Sequence, residues 1–389
     1  MSKLLSIVIP TKDRYKTLFP VISNIISSID MTDCEIVISD NTANNEEALF
    51  FLDKISQRDH IIYDHVVNSV SMVDNAENAL SLAGGEYLLF IGDDDFVSPF
   101  VVQVVKDMKE REYEVLTYPI ANYFYENVQF RKKYAFNKPA TLQVTKNNIL
   151  SYQKKDSEKE LDRVCQIGGI YILGLPRLYH GIVKRNRLEL IKKIYGKYIP
   201  GPCPDMTLSV ALSLTTKEYY YVEYPVSISG ASSASEGGKG PMNKHVEKLE
   251  NKKWLNQEDI RDWDERLPRI FSRETIWGQC LVHVLKITNI EKKINYQKLY
   301  SSMIINCPNN ALPYVIVLYK SLIKSNKLII IQYCKDFMVR YLKNIIFSCP
   351  AIFLEILVKV RGDYKKFNCI HNLTSIDEVC KYLKANYSV

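Results

Sequence analysis

The chain has 389 residues, 47% hydrophobic, 24% charged and 11% aromatic, a balance that excludes a disordered, collagenous or fibrous protein. At roughly 100 to 200 residues per domain this length predicts two closely packed units, and 15 Gly plus 15 Pro are too few for long flexible linkers. The net charge of +7 is unevenly spread: residues 1–150 carry 14 Lys/Arg against 21 Asp/Glu, residues 151–250 carry 15 against 11, and residues 251–389 carry 22 against 12. A basic last third suits an anionic partner, whereas the acidic first part argues against a protein built throughout to wrap nucleic acid. Nine cysteines, an odd number with no C-x-x-C pair, indicate neither a disulfide framework nor a cysteine zinc site, so a reducing compartment is expected. The apolar run Leu4 to Pro10 is too short for a secretory core, and no window reaches the ~18 apolar residues of a membrane span.

In chain order, Leu4 to Pro10 reads as a fully buried strand, and the helical spacing of Leu18, Val21, Ile22, Ile25, Ile26 and Ile29 predicts the helix that follows. A second buried strand, Glu35 to Ser39, ends at Asp40-Asn41 and completes a βαβ opening. A helix over about Asn45 to Ile55, a short strand near Ile61 to His65 and a helix over about Val73 to Ala83 come next, the last with Gly84-Gly85 as its C-cap. Tyr87 to Ile91 is a buried strand that runs into Asp93-Asp94-Asp95, and Ser98-Pro99 reads as the start of a helix over Phe100 to Met108. Further strands are expected over 115–145 and from Tyr219 to Ile228, with helices over Lys184 to Tyr195 and Met206 to Leu214. GASSASEGGKGPMN, the one extended Gly/Ser-rich stretch, reads as a mobile loop, and from about Val246 the pattern is helical to the end. Alternating strands and helices of these lengths predict an α/β protein with a largely parallel sheet, whose ligands lie beyond the carboxyl ends of the strands.

Thr11 to Arg14, Asp40 and Asp93 to Asp95 all fall at that edge. Three adjacent carboxylates repel one another unless a cation offsets them, and magnesium or manganese takes a few carboxylate oxygens plus substrate phosphates. A metal-diphosphate site is therefore expected, against the alternative of a solvated acidic turn. The spacing fits neither a P-loop nor a dinucleotide fingerprint, because the first strand is followed by Pro10-Thr11-Lys12-Asp13-Arg14 with no glycine.

LSIVIPTKDR, EIVISDN and NAENALSLAGGEYLLFIGDDD, in that order and over roughly 85 residues, resemble the opening of glycosyltransferase family 2, with its GT-A fold and Asp-x-Asp motif. YHGIVKRNRLELI, GPCPDMTLSVAL and PVSISGASSAS resemble the acceptor half of bacterial surface-polysaccharide members, so that the likeness covers about residues 3–240. The resemblance implies a GT-A domain over 1–245 followed by a helical, basic C-terminal domain over 246–389. It implies that Pro10, Thr11, Asp13 and Arg14 lie against the nucleotide, that Asp40 bonds the base, and that Asp93 and Asp94 stand near the ribose and sugar. Asp95 would bind Mn2+ or Mg2+ together with Asp93, with His245 as a further ligand. Asn75, with Asn78 on the same helix, would contact the nucleotide or simply face solvent. Asp205, after the helix-starting Pro204, matches the catalytic base of inverting members, although Pro204 replaces the first acid of the family's usual Glu-Asp pair; its plainer reading is a helix-capping aspartate.

His180 either lines the acceptor pocket or is a satisfied core histidine. Between Lys320 and Lys366 ten Lys/Arg accompany an amphipathic pattern, which suits either an anionic membrane surface or a packed helix with a solvated cationic face. The expected activity is inverting transfer of a sugar from a nucleotide-diphosphate donor, UDP first among carriers, to a carbohydrate or polyprenyl-linked acceptor in capsule or O-antigen synthesis. The expected location is cytoplasmic or peripheral at the inner face of the membrane, without nucleic acid. The competing classes are a nucleotide-sugar pyrophosphorylase, whose Gly-rich first loop is replaced here by KDRYK, and a non-catalytic adaptor that retains the fold.

Overall fold

The structure is a computed structural model that describes residues 3–130, 137–147, 149–239, 246–306 and 367–387, with 335, 338 and 342 as single helical positions. His245 and nearly all of the basic stretch 320–366 lie outside the described residues.

The first half alternates as the apolar pattern requires: β1 (Leu5–Thr11), α1 (Tyr15–Ser28), β2 (Cys34–Asp40), α2 (Glu46–Lys54), β3 (Ile61–His65), α3 (Met72–Leu82) and β4 (Tyr87–Phe90). Then follow β5 (Phe96–Val97), α4 (Val101–Glu110), β6 (Val115–Thr117), β7 (Ala121–Phe124), β8 (Thr141–Thr145), β9 (Tyr152–Asp156), α5 (Ser157–Gln166), β10 (Gly181–Lys184), α6 (Arg185–Tyr195), α7 (Pro204–Thr215), β11 (Glu218–Val222), β12 (Ser227–Ala231) and the short α8 (Glu236–Lys239). The remainder contains β13 (Glu247–Lys248), α9 (Gln257–Arg261), β14 (Ile270–Phe271), α10 (Arg273–Ile287), α11 (Tyr296–Asn306), β15 (Phe367–His371) and α12 (Ile376–Asn386).

The main sheet has the order β3-β2-β1-β4-β10-β6-β11-β9. Its first four strands are parallel, while β10 runs antiparallel to both β4 and β6 and β9 antiparallel to β11. This is the mostly parallel mixed sheet, flanked by helices, that the alternating pattern implies. β1, β2 and β4 are buried on both faces, which is why their sequences read as near-continuous apolar runs. A second sheet, β15-β8-β7-β12-β5, stands beside the first.

Two apolar clusters cover the two faces of the main sheet. One joins α1, α2 and α4 to the second sheet; the other joins α3, α5, α6 and α7 to α10 and α11. Among the described residues after 245, α9, α10 and α11 are helical, and Ile276 and Leu281 share a cluster with Leu80 and Val183. The tail departs from an all-helical region. Phe367–His371 is a strand paired antiparallel to β8, and Ile376, Val379, Cys380 and Leu383 of α12 sit in the cluster of α1, where Asp377 accepts from Asn24 Nδ2 at 2.7 Å. Two turns of an amphipathic helix look alike wherever they dock, so the pattern could not say that the chain's end returns to its beginning.

Three local expectations are corrected. Gly84 and Gly85 are not a left-handed C-cap, since neither has a positive φ. Gly85 is needed for close approach instead, because a Cβ there would stand 2.6 Å from the backbone nitrogen of Ser6. The helix expected from Phe100 begins at Val101, with Phe100 rather than Ser98 at its N-cap. The strand expected over Tyr219 to Ile228 is two strands in two different sheets, separated at Tyr224-Pro225.

Candidate active site

β4 delivers the acidic triplet to the carboxyl edge of the sheet beside the end of β1. Thr11, the last residue of β1, donates from Oγ1 to Asp93 Oδ2 at 2.7 Å. Arg14 reaches across the turn so that its guanidinium lies 2.8 Å from Asp93 Oδ1 and 2.9 Å from Asp94 Oδ2. It also donates to Ser232 Oγ at 3.0 Å, and Ser232 in turn donates to Asp94 Oδ2 from its hydroxyl at 2.8 Å and its backbone N–H at 3.1 Å. The Gly/Ser-rich stretch, expected to be mobile, is thus anchored over its described part: β12 ends in it, and Ser235 Oγ accepts from Gly238 N at 3.0 Å to close a tight turn.

The triplet is buried, with no member more than 4% exposed. Burial pushes Asp93 up to about 7, and the neighbouring carboxylates add to the rise against the opposing charge of Arg14. Burial and the charge of Asp95 likewise raise Asp94. Burial also acts to raise Asp95, but His180 and the hydrogen bonds from Gly92 and Tyr179 outweigh it and hold Asp95 below the usual carboxylate range. Asp93 and Asp94 therefore share one guanidinium, while Asp95 is held by His180.

The structure places the other expected site residues among protein partners. Asp95 Oδ2 accepts from Gly92 N at 2.7 Å and Tyr179 Oη at 2.8 Å, and Oδ1 accepts from Gly230 N at 2.7 Å. His180 Nε2 lies a further 3.1 Å from Oδ2, so both oxygens of Asp95 have protein partners. His180 is 1% exposed with Nδ1 2.8 Å from Ser227 Oγ, so it backs the triplet instead of lining an acceptor pocket. Asp40, expected at the base, is fully buried; Tyr15 and Tyr63 donate to Oδ2 at 2.6 and 2.8 Å, and Thr42 N donates to Oδ1 at 2.9 Å. Asn75 is a strut, accepting from Ser39 Oγ at 2.7 Å and donating to the Thr11 carbonyl at 3.0 Å. Asn78 donates to Ser39 Oγ and Asp64 in the same way. Pro10 lies inside β1, and Asp13 is an exposed residue in the left-handed region, φ 57°, that shapes the turn which presents Arg14.

Among the described residues no cluster of three or more His, Cys, Asp or Glu is arranged around one point to hold a metal. Asp93 and Asp94 nevertheless have the chemistry for a hard divalent cation: an all-oxygen donor pair, a local deficit of positive charge, and a buried Asp93 Oδ1 whose sole contact is the ionic one to Arg14.

Asp205 stands in the first turn of α7, which Pro204 starts at N1. Its Oδ1 accepts from Cys203 Sγ and from Met206 N, each at 2.7 Å, and its Oδ2 accepts from Trp277 Nε1 of α10 at 2.9 Å. Burial raises its pKa, and these donors only partly oppose the rise. Tyr179 stands between the triplet and Asp205 in its electrostatics. Its hydroxyl is bonded to Asp95, and burial together with the charges of Asp95, Asp94 and Asp205 raises its pKa well above the ordinary phenol. Sequence reasoning missed Tyr179, Ser232, Cys203 and Trp277, which no spacing announces; adjacency to His180 and Asp205 was the sole signal for two of them.

A mostly parallel α/β sheet with buried acidic residues just past its fourth strand places them at the edge where such sheets bind ligands. Residues 6–172 match the family model described as glycosyl transferase family 2. The matched stretch includes Arg14 and the triplet and ends before Asp205. No curated protein matches the chain. Among solved structures, S. aureus TarS 1-349 in complex with UDP-GlcNAc is similar at a TM-score of 0.46 and 14% identity, over 87% of this chain and 89% of that one. The same TarS fragment in complex with UDP has a TM-score of 0.42 and 12% identity over the same shares. A longer TarS structure has a TM-score of 0.40 and 14% identity over 62% of this chain, which spans 38% of that TarS chain.

Proposed function

We propose that the chain is an inverting glycosyltransferase that moves a sugar from a nucleotide-diphosphate donor to a carbohydrate hydroxyl. The observation that carries this reading is Tyr179, whose hydroxyl is bonded to Asp95 of the triplet and whose pKa is raised in part by the charge of Asp205, which puts that raised carboxylate near the triplet. The family match over residues 6–172 supports the donor half. Asp205 takes the proton of the acceptor hydroxyl; the oxygen attacks the anomeric carbon from the face opposite the nucleotide. The bond from that carbon to the phosphate oxygen breaks, and its electron pair leaves with the diphosphate. A single base and a single displacement invert the anomeric centre. Arg14 and Thr11 orient the carboxylates that border the donor, and Ser232 closes the edge. A manganese or magnesium ion held by Asp93 and Asp94 would neutralise charge on the diphosphate.

UDP is the carrier to examine first, and a surface glycan such as capsule or O-antigen, polyprenyl-linked or free, is the acceptor class proposed. No helix among the described residues is long and apolar enough to cross a membrane. The test is calorimetric titration of UDP, GDP and dTDP with and without manganese into the wild type and Asp93→Ala. UDP is expected to bind with manganese, and Asp93→Ala to lose the metal dependence. No binding by any nucleotide under either condition would overturn the reading and leave a fold retained for another purpose.

A further inference from the structure

Outside the triplet and Asp205, a cavity of about 420 Å³ opens between the Ser232–Lys239 turn and the segment leading to Trp254, within the ~300–1,000 Å³ range of ligand-holding clefts. Ser233, Lys239, Asn251, Lys252, Lys253 and Trp254 line it with Glu247. Three lysines and one glutamate are among these lining residues. Glu247 lies 2.8 Å from Lys252 Nζ, so its charge is already engaged.

Lys252 is unusual for an ammonium: it is 6% exposed, with Nζ 4.2 Å from the centroid of Phe271 and 5.7 Å from that of Trp254. Ring faces and one carboxylate hold this cation in place against the cavity. Its setting is rigid, because Trp254 packs edge-on against Phe271 at 5.1 Å and β13 pairs with β14.

Both walls are tied to the donor edge. Ser233 follows Ser232, which bonds Asp94 and Arg14. On the other side the Trp254 carbonyl accepts from Met72 N at 3.2 Å, at the start of the helix whose Asn75 holds the Thr11 carbonyl. A preset cationic wall, an aromatic ring, and serine and asparagine hydrogen-bonding groups make up the chemistry that recognises a sugar carrying a phosphate.

We propose that this cavity is a subsite for the phosphate of a sugar-phosphate group on the acceptor, adjacent to and separate from the donor's diphosphate. The acceptor assignment rests on the transferase reading above; the anion site itself does not.

The probe is glucose 1-phosphate, titrated by calorimetry into the wild type, Lys253→Ala and Trp254→Phe, with and without saturating UDP and manganese, with glucose as a control. The expected result is binding of glucose 1-phosphate but not glucose, weakened about 10-fold or more by Lys253→Ala. That binding should persist in saturating UDP, and UDP affinity should be the same in Lys253→Ala as in the wild type. Glucose 1-phosphate that does not bind, or binds equally to wild type and Lys253→Ala, overturns the site. Displacement of the probe by UDP, with weaker UDP binding in Lys253→Ala, overturns the acceptor assignment and makes the cavity part of the donor site. If UDP fails to bind while the probe binds, the transferase reading fails and the anion site stands.

Discussion

At the carboxyl edge of β1 and β4, Asp93 and Asp94 are met by a guanidinium, whereas at the start of α7 Asp205 is met by an indole N–H, a thiol and one backbone N–H. The donor edge is a charge cluster with too little positive charge, so it gains from any cation that comes with a ligand. The far side is a single carboxylate held by neutral donors, which fix its direction while burial keeps its affinity for a proton above that of free aspartate. On the proposed reading one edge holds charge and the other accepts a proton, and substitutions separate these roles.

Asp205→Asn should have the largest effect. It keeps the size and most hydrogen bonds of the side chain but removes the proton acceptor, and loss of a general base lowers turnover by about 10²–10⁴-fold. Sugar transfer is expected to fall by about 1,000-fold while UDP affinity in calorimetry stays within error of the wild type. Unchanged turnover would reduce Asp205 to the capping aspartate that the helix start alone explains.

Arg14→Ala acts on the opposite edge and in the opposite currency. Removing one member of a buried ion pair leaves its partners unpaired at about 3–5 kcal/mol, and the 23% exposure of the Arg14 side chain brings the expected loss to about 2 kcal/mol. Urea unfolding measures it. Adding Asp93→Asn to Arg14→Ala should restore part of the stability, because the orphaned charge is then gone; a fully additive double variant would show that the two side chains do not depend on each other.

The same contrast explains what the sequence disclosed. The donor half is local: β1, β2 and β4 are apolar runs that end in Thr11, Asp40 and Asp93, so their order and turns placed these residues at one edge without any tertiary knowledge. What each carboxylate touches was not local. Asp40 is occupied by Tyr15 and Tyr63, and Asp95 by Tyr179 and Gly230, 84 and 135 residues further along the chain. Periodicity shows which face of an element is apolar and says nothing about which polar group a distant loop will bring. The proline before Asp205 marked a helix start correctly, yet Trp277, 72 residues away on α10, had no sequence signal tying it to that carboxylate. The tail was hidden for a related reason, since its docking on α1 depends on a strand pairing between residues more than 200 positions apart.

Trp277→Phe gives the smallest change and the finest division of the two edges. An aromatic ring is kept, and the Nε1–H that donates to Asp205 Oδ2 is lost with the five-membered part of the indole. That hydrogen bond favours the charged carboxylate, so its removal raises an already raised pKa further. The base is active when deprotonated. Activity in the wild type therefore falls as pH drops through the raised pKa, and in Trp277→Phe the same fall begins at higher pH. The acid limb of kcat should move upward by about one unit, the scale of one hydrogen bond to a charged group, with about 10-fold lower kcat on that limb and recovery toward the wild-type rate at high pH. KM for the donor should not change, because Trp277 does not touch the triplet's partners. A uniform loss at every pH would mean that the indole only packs α10 against α7. An upward-shifted limb would show that the helical region beyond residue 245 sets the base of a site whose donor half lies within residues 6–172.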